Sequence, residues 1–172
     1  MRVVWITGLS GSGKSTIAKA LLEKLQEEGL SSVNIDGDSL RKRLPVGFSI
    51  DQRWKNVWRA IYEAKVATIY HDVVVVTLIS PLIEMRQKAR KNITSFLYPT
   101  RRFIEVYMNT PLETCEKRDP KGLYKRVRAG EIKSFTGIDS PYEPPVNPEI
   151  IVNQESSVEM TVKTIYDYLN EN

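Results

Sequence analysis

A chain of 172 residues, 41% hydrophobic and 27% charged, has the make-up of an ordinary globular protein long enough to bury a core. Its net charge of +4 suits a small anionic ligand but is too small and too dispersed to point to nucleic acid, and no apolar run approaches the roughly 18 residues of a membrane span. The single cysteine, Cys115, excludes an internal disulfide; together with the lack of a signal-peptide cleavage pattern after Met1-Arg2, it leads us to expect a cytoplasmic protein.

Strand-like runs alternate with segments of helical period. Val3-Val4-Trp5-Ile6 reads as a first strand. From Lys14 to Glu28, Ile17, Leu21, Leu22 and Leu25 share one helical stripe, closed by Gly29 as a C-cap. Ser32 to Ile35 reads as a short second strand, and the β-branched run Val73 to Ile79 as a third, covered on both faces. His71, in the turn before it, is expected to be structural, as is Cys115 on a helix after Thr110-Pro111. Phe103 to Met108 gives a fourth strand, Ile150 to Val152 a weaker fifth, and Val162, Ile165 and Leu169 mark a last helix from Val158. This alternation predicts an α/β fold: one domain over residues 1–172, with a central parallel five-stranded sheet and helices on both faces. Residues 119–148 break the pattern, being rich in Lys, Arg, Gly and Pro with almost no apolar periodicity, and read as a mobile lid. Its cations Lys121, Lys125, Arg126, Arg128 and Lys133 suit closure over phosphates.

Gly8-Leu9-Ser10-Gly11-Ser12-Gly13-Lys14-Ser15, followed by Thr16, matches the phosphate-loop pattern between a strand and an amphipathic helix. Glycines let successive N–H groups turn inward onto phosphate oxygens at the positive end of the helix. Lys14 adds a point charge for the β- and γ-phosphates of ATP, and the Ser15 hydroxyl is a ligand for Mg2+. A GTPase would carry a guanine-reading Asn-Lys-x-Asp, which is missing; the size is that of a nucleoside or metabolite kinase, so a P-loop kinase fold is expected. Asp36-Gly37-Asp38 stands at the carboxyl end of the second strand, where parallel sheets bind ligands. We assign Asp36 to the metal side and Asp38 to the attacking hydroxyl, with the reverse assignment left open. A non-catalytic nucleotide-binding module would be signalled by loss of Lys14, Asp36 or Asp38, and all three are present.

Asp36-Gly37-Asp38 with Arg41, then Gly47-Phe48-Ser49, Asp51-Gln52-Arg53 with Asn56, Ile79-Ser80-Pro81, Arg118-Asp119-Pro120-Lys121-Gly122-Leu123-Tyr124, Phe135-Thr136-Gly137-Ile138-Asp139 and Pro141-Tyr142-Glu143 resemble, in order, the adenylylsulfate kinase family. The likeness spans nearly the whole chain. It implies transfer of the ATP γ-phosphate to the 3′-hydroxyl of adenosine 5′-phosphosulfate. Phe48 and Phe135 would then sandwich the acceptor's adenine, while Arg41 and Arg53, with Asn56, take the phosphosulfate. The resemblance further implies that Ile79 and Ser80 line the acceptor site, that Lys125 contacts substrate and that Arg118 neighbours the ATP base. In that family the serine matching Ser80 has been assigned as a phosphorylated intermediate; in-line transfer requires none.

The chain departs from the family's usual form at Trp58, which stands before Arg59 in place of a first arginine, in the short stretch Lys42 to Val46, and at Leu82-Ile83, where Tyr-Arg is common. These departures leave another nucleotide anhydride, such as a cytidine diphosphoramidate, as the alternative acceptor. The sequence also leaves a homodimer open.

Overall fold

The computed structural model describes residues 1–43, 47–94 and 102–171; of the short stretch noted above, residues 44–46 lie outside them. Strands β1 (Arg2–Thr7), β2 (Ser32–Asp36), β3 (Val73–Thr77), β4 (Arg102–Asn109) and β5 (Ile150–Asn153) form one sheet in the order β2-β3-β1-β4-β5. Every pairing is parallel, as the β-branched runs predict.

The two-residue period of the strands sorts their side chains onto two covered faces. Val4, Ile6, Val75, Ile104 and Val106 meet Leu21 and Leu25 of α1 (Lys14–Glu27) and Ile165 and Leu169 of α7 (Val158–Asn170). Val3, Trp5, Val74 and Val76 meet Ile61 and Ala64 of α3 (Ile50–Ala67) and Met85 and Ile93 of α4 (Ile83–Thr94). Gly29 ends α1 at φ 74°: Leu30 N–H reaches back to the Leu25 carbonyl and Gly29 N–H to that of Gln26, satisfying carbonyls that the helix leaves open. Helix α3 starts in a capping box, with Ser49 N–H donating to Gln52 Oε1 at 3.1 Å and Gln52 N–H to Ser49 Oγ at 3.4 Å.

Residues 119–148, which show almost no apolar periodicity in the sequence, nonetheless carry local structure. They contain α6 (Leu123–Arg128), and their Tyr124, Val127, Ile132 and Phe135 join Cys115 of α5 (Leu112–Arg118) in a third apolar cluster. Its apolar residues are spaced by short turns and one short helix, so no single period runs through them. Cys115 is buried in this cluster. His71 precedes β3, at the end of the sheet away from the phosphate loop, and its Nδ1 lies 2.8 Å from Ser31 Oγ.

Candidate active site

The chain passes from β1 to the β2–β3 side and then crosses to β4 and β5, which opens a crevice at the carboxyl ends of the strands. A cleft of about 570 Å³ lies there, lined by Ser10 to Ile17, Asp36 to Asp38, Arg118, Lys121 and residues after β4 and β5. A second, smaller chamber includes Arg53, Asn56 and Ser80, and shares Arg41, Phe48, Ile79 and Phe135 with the cleft.

The loop after β1 curls as its glycines permit. Gly8 has φ 150°, and a Cβ there would stand 2.8 Å from Ser12 Oγ and 2.9 Å from Met108 Cβ, so any side chain collides. The Lys14 ammonium folds back and donates to the carbonyls of Gly8 at 2.9 Å and Leu9 at 2.6 Å. Burial first, and then the positive charge of Lys121, push Lys14 down to about 8. This lies below the unfolded value of 10.5, so the fold disfavours the charged form, and native stability gained on deprotonation appears as pH rises from about 8 to 10.5. Phosphates in the cleft would favour the charged form. We therefore expect ATP binding near pH 8.5 to take up a proton, as read by calorimetry in buffers of different ionisation enthalpy, and Lys14→Ala to abolish that uptake. Equal heats in all buffers for the unmodified protein at that pH would contradict the burial argument.

Asp36 caps α2 (Gly37–Arg43): its Oδ2 accepts from the N–H groups of Asp38 at 3.1 Å and Ser39 at 3.0 Å, and its Oδ1 from Thr77 Oγ1 at 2.9 Å. Asp38 holds two cations, Arg41 at 3.1 Å on Oδ1 and Lys121 on Oδ2. Burial raises its carboxyl, but Lys121 and then Arg41 outweigh that and hold it below the ordinary value, so it is ionised. At the other end, Arg118 Nη1 reaches the Gly11 carbonyl at 3.4 Å, beside Pro120, Asn153 and Gln154.

On the chamber side, Phe48 and Phe135 stand with ring centroids 5.8 Å apart and planes tilted by 56°, closed on each other. Phe135 is 2% exposed, so it belongs to the third cluster as well as to the wall. Arg53 donates to Ser140 Oγ at 3.0 Å and to the Ser134 carbonyl, binding α3 to the loop that carries Phe135. Asn56 lines the chamber and is 3% exposed, and its Oδ1 is a buried acceptor with no partner among the described residues. Ser80 is 2% exposed; its hydroxyl accepts from Trp5 Nε1 at 3.0 Å and lies 3.3 Å from both Thr7 Oγ1 and the Leu78 carbonyl.

Behind Ser80, the buried Arg86 guanidinium donates to the carbonyls of Ser80 at 2.8 Å and Glu143 at 2.6 Å and pairs with Glu105. Lys125 lines neither space; it is exposed on α6, and its backbone N–H donates to Asp119 Oδ2 at 3.0 Å. The cation delivered to the cleft from this segment is Lys121. In the sequence Lys121 stands undistinguished in a run of cations; the one local signal beside it is Gly122, which takes the αL conformation before α6. Trp58, 45% exposed, and Leu82 and Ile83 line neither space.

Among the described residues no three or more His, Cys, Asp or Glu side chains converge as a metal cage. A dication between Ser15 and Asp36 would draw most of its ligands from phosphates and water, which is the manner of Mg2+ and fits the hard oxygen donors on both walls.

Residues 1–153 match the family described as Adenylylsulphate kinase. A probable adenylyl-sulfate kinase of Halalkalibacterium halodurans is 51% identical over 174 aligned residues, covering 98% of this chain and 82% of the relative. An adenylyl-sulfate kinase of Clostridium acetobutylicum is 48% identical, covering 98% of this chain and 83% of the relative. Among solved structures, the Mycobacterium tuberculosis APS kinase CysC in complex with AMPPNP and APS superposes with a TM-score of 0.88 at 44% identity, covering 99% of this chain and 98% of that one. With the phosphate loop, the paired aspartates and the facing phenylalanines all in one crevice, the chain belongs to the adenylylsulfate kinase family.

Proposed function

We propose that this protein transfers the γ-phosphate of ATP to the 3′-hydroxyl of adenosine 5′-phosphosulfate. The observation that carries this reading is the junction of two spaces at Arg41, Phe48 and Phe135: a phosphate cleft on one side, and on the other an aromatic chamber with a buried arginine and an unpartnered amide oxygen. ATP lies along the loop from Gly8 to Thr16 with its base toward Arg118. Ser15 and Asp36 would hold Mg2+, which would supply charge neutralisation on the phosphates. Lys14 leaves its two carbonyls for the transferring phosphoryl group. Asp38 accepts the hydrogen bond of the attacking hydroxyl once Lys121 and Arg41 swing onto substrate oxyanions. The acceptor's adenine enters between Phe48 and Phe135, which must part to admit it, while Arg41 and Arg53, with Asn56, hold the phosphosulfate end and Ile79 lines the site. Ser80, its hydroxyl engaged by Trp5, works as scaffold and not as a phosphoryl carrier. Residues 1–172 act as one kinase unit in the cytoplasm, with 119–148 as its moving cover.

A panel of nucleotide acceptors, each scored for phosphorylated product, tests the assignment. Adenylylsulfate should outperform cytidine and uridine anhydrides; efficient use of a cytidine anhydride with little turnover of adenylylsulfate would overturn the acceptor. Phe48 is the informative ring to truncate, because it is only half-buried whereas Phe135 is also core. Phe48→Ala should raise the acceptor's KM about ten- to a hundredfold with ATP KM little changed, given the value of stacking. Equal losses for both ligands would count against the clasp.

A further inference from the structure

Resting on that reading, we infer that Tyr124 is a positioning residue that locks the phosphate loop to the aromatic clasp, so that nucleotide in the cleft sets the pose of Phe135. Tyr124 is 1% exposed and makes two contacts that face different ligands. Its hydroxyl donates to the Ser10 carbonyl at 2.9 Å, and its ring stands edge-on to Phe135 with centroids 5.1 Å apart and planes at 76°. The first contact orients a peptide. In a planar trans peptide the C=O and the following N–H point in opposite directions, so pinning the Ser10 carbonyl onto Tyr124 turns the Gly11 N–H away from it. Gly11 lines the phosphate cleft, and at φ 77° it holds a conformation that most residues avoid. Flipping that peptide would break the tyrosine's hydrogen bond.

The second contact makes the ring a floor for Phe135. The loop carrying Phe135 is braced from within, where Ser134 and Phe135 N–H groups donate to the Asp139 carboxylate and Gly137 N–H to the Ser140 carbonyl at 2.8 Å, and is tied to α3 through Arg53, so Tyr124 is its link toward the phosphate loop. Leu9 supports the same joint, since a Cβ on Gly137 would stand 3.0 Å from Leu9 Cδ2 and 3.2 Å from Leu112 Cδ1. Phosphate loop, α6 and clasp thus share one apolar cluster, separate from the two that cover the sheet. A ligand that orders the loop therefore biases the clasp, and by linkage the acceptor biases nucleotide affinity equally.

Hydrogen exchange with a non-hydrolysable ATP analogue tests this without any acceptor. In the unmodified protein the analogue should slow exchange across residues 134–140 by about fivefold or more, together with the loop at 8–15. Tyr124→Phe keeps the ring and removes the hydroxyl; protection at 8–15 should persist while that at 134–140 falls by at least half. Full transmission in the variant, or no protection at 134–140 in the unmodified protein, overturns the inference. A merely structural tyrosine would instead weaken both segments together, which also overturns it. In a second arm, the gain in adenylylsulfate affinity caused by the analogue should shrink about three- to tenfold in the variant. If the unmodified protein does not bind adenylylsulfate, the acceptor assignment falls, and the exchange result still judges Tyr124.

Discussion

Lys14→Ala is expected to lower turnover about a hundred- to a thousandfold, the scale on which removal of a preorganised charge or donor acts on a transfer step. The reasoning starts from where the ammonium sits before substrate arrives. It is tied to two carbonyls of its own loop, at 2.9 and 2.6 Å, and its charged form is disfavoured by burial. Those bonds can be exchanged for phosphate oxygens without moving the backbone, so the charge is available where negative charge spreads in the transition state. Because the protonated lysine is a burden on the folded state at neutral pH, its loss should leave the melting temperature close to that of the unmodified protein. Turnover at saturating ATP and acceptor, with a thermal melt alongside, checks both halves. A variant keeping a tenth or more of its turnover would remove Lys14 from the mechanism.

The aspartates should separate into two phenotypes. Asp38→Asn keeps shape and removes the charge that faces the hydroxyl, so turnover should fall about a hundredfold or more if that carboxylate acts as base. Asp38 also gathers Lys121 and Arg41, and an amide cannot hold both cations as firmly; ATP KM should move less than turnover. Asp36→Asn acts elsewhere. It weakens the cap of α2 and the bond from Thr77, and it should raise the Mg2+ concentration needed for half-maximal rate. Titrating Mg2+ into both variants discriminates: rescue of the Asp36 variant alone supports the assignment, whereas rescue of the Asp38 variant alone exchanges the two roles.

Much of this architecture was legible because local and global signals agree. The strand runs, the stripe on α1 and the phosphate loop each carry a short-range pattern that the sheet then uses, and Asp36 is readable because it ends a strand. What the chain concealed lies where partners are distant in sequence. Tyr124 meets Ser10 across 114 positions and Arg53 meets Ser140 across 87, and neither pair leaves a periodic trace. Helix α3 carries a capping box at Ser49 and Gln52, yet its buried Arg53 and Asn56 interrupt the apolar stripe, which obscures the helix in a pattern search. Lys121 and Lys125 look alike in a run of cations; Lys121, before the turn at Gly122, lines the cleft and pairs with Asp38, whereas Lys125, on α6, lines neither space. Phe135 is both wall and core, a pairing that flanking polar residues hide.

Arg86 bears on how freely this protein can drift. Its guanidinium bridges the main chain of Ser80 to that of Glu143, the Glu143 N–H returns a bond to the Pro81 carbonyl at 2.8 Å, and the Glu143 carboxylate takes the Ile83 N–H at 2.7 Å. Apart from the guanidinium and carboxylate themselves, every group in this knot is backbone, so the path from residue 80 to residue 83 does not depend on which side chains stand at 82 and 83. Those positions can therefore diverge, as they have here, within the limit that Leu82 packs on the second apolar cluster, while the chamber wall behind them keeps its course. The permissiveness is bought at one place: shedding the buried Arg86 charge alone would leave Glu105 only its longer, 3.5 Å contact to Arg90, so Arg86 and Glu105 are expected to change together.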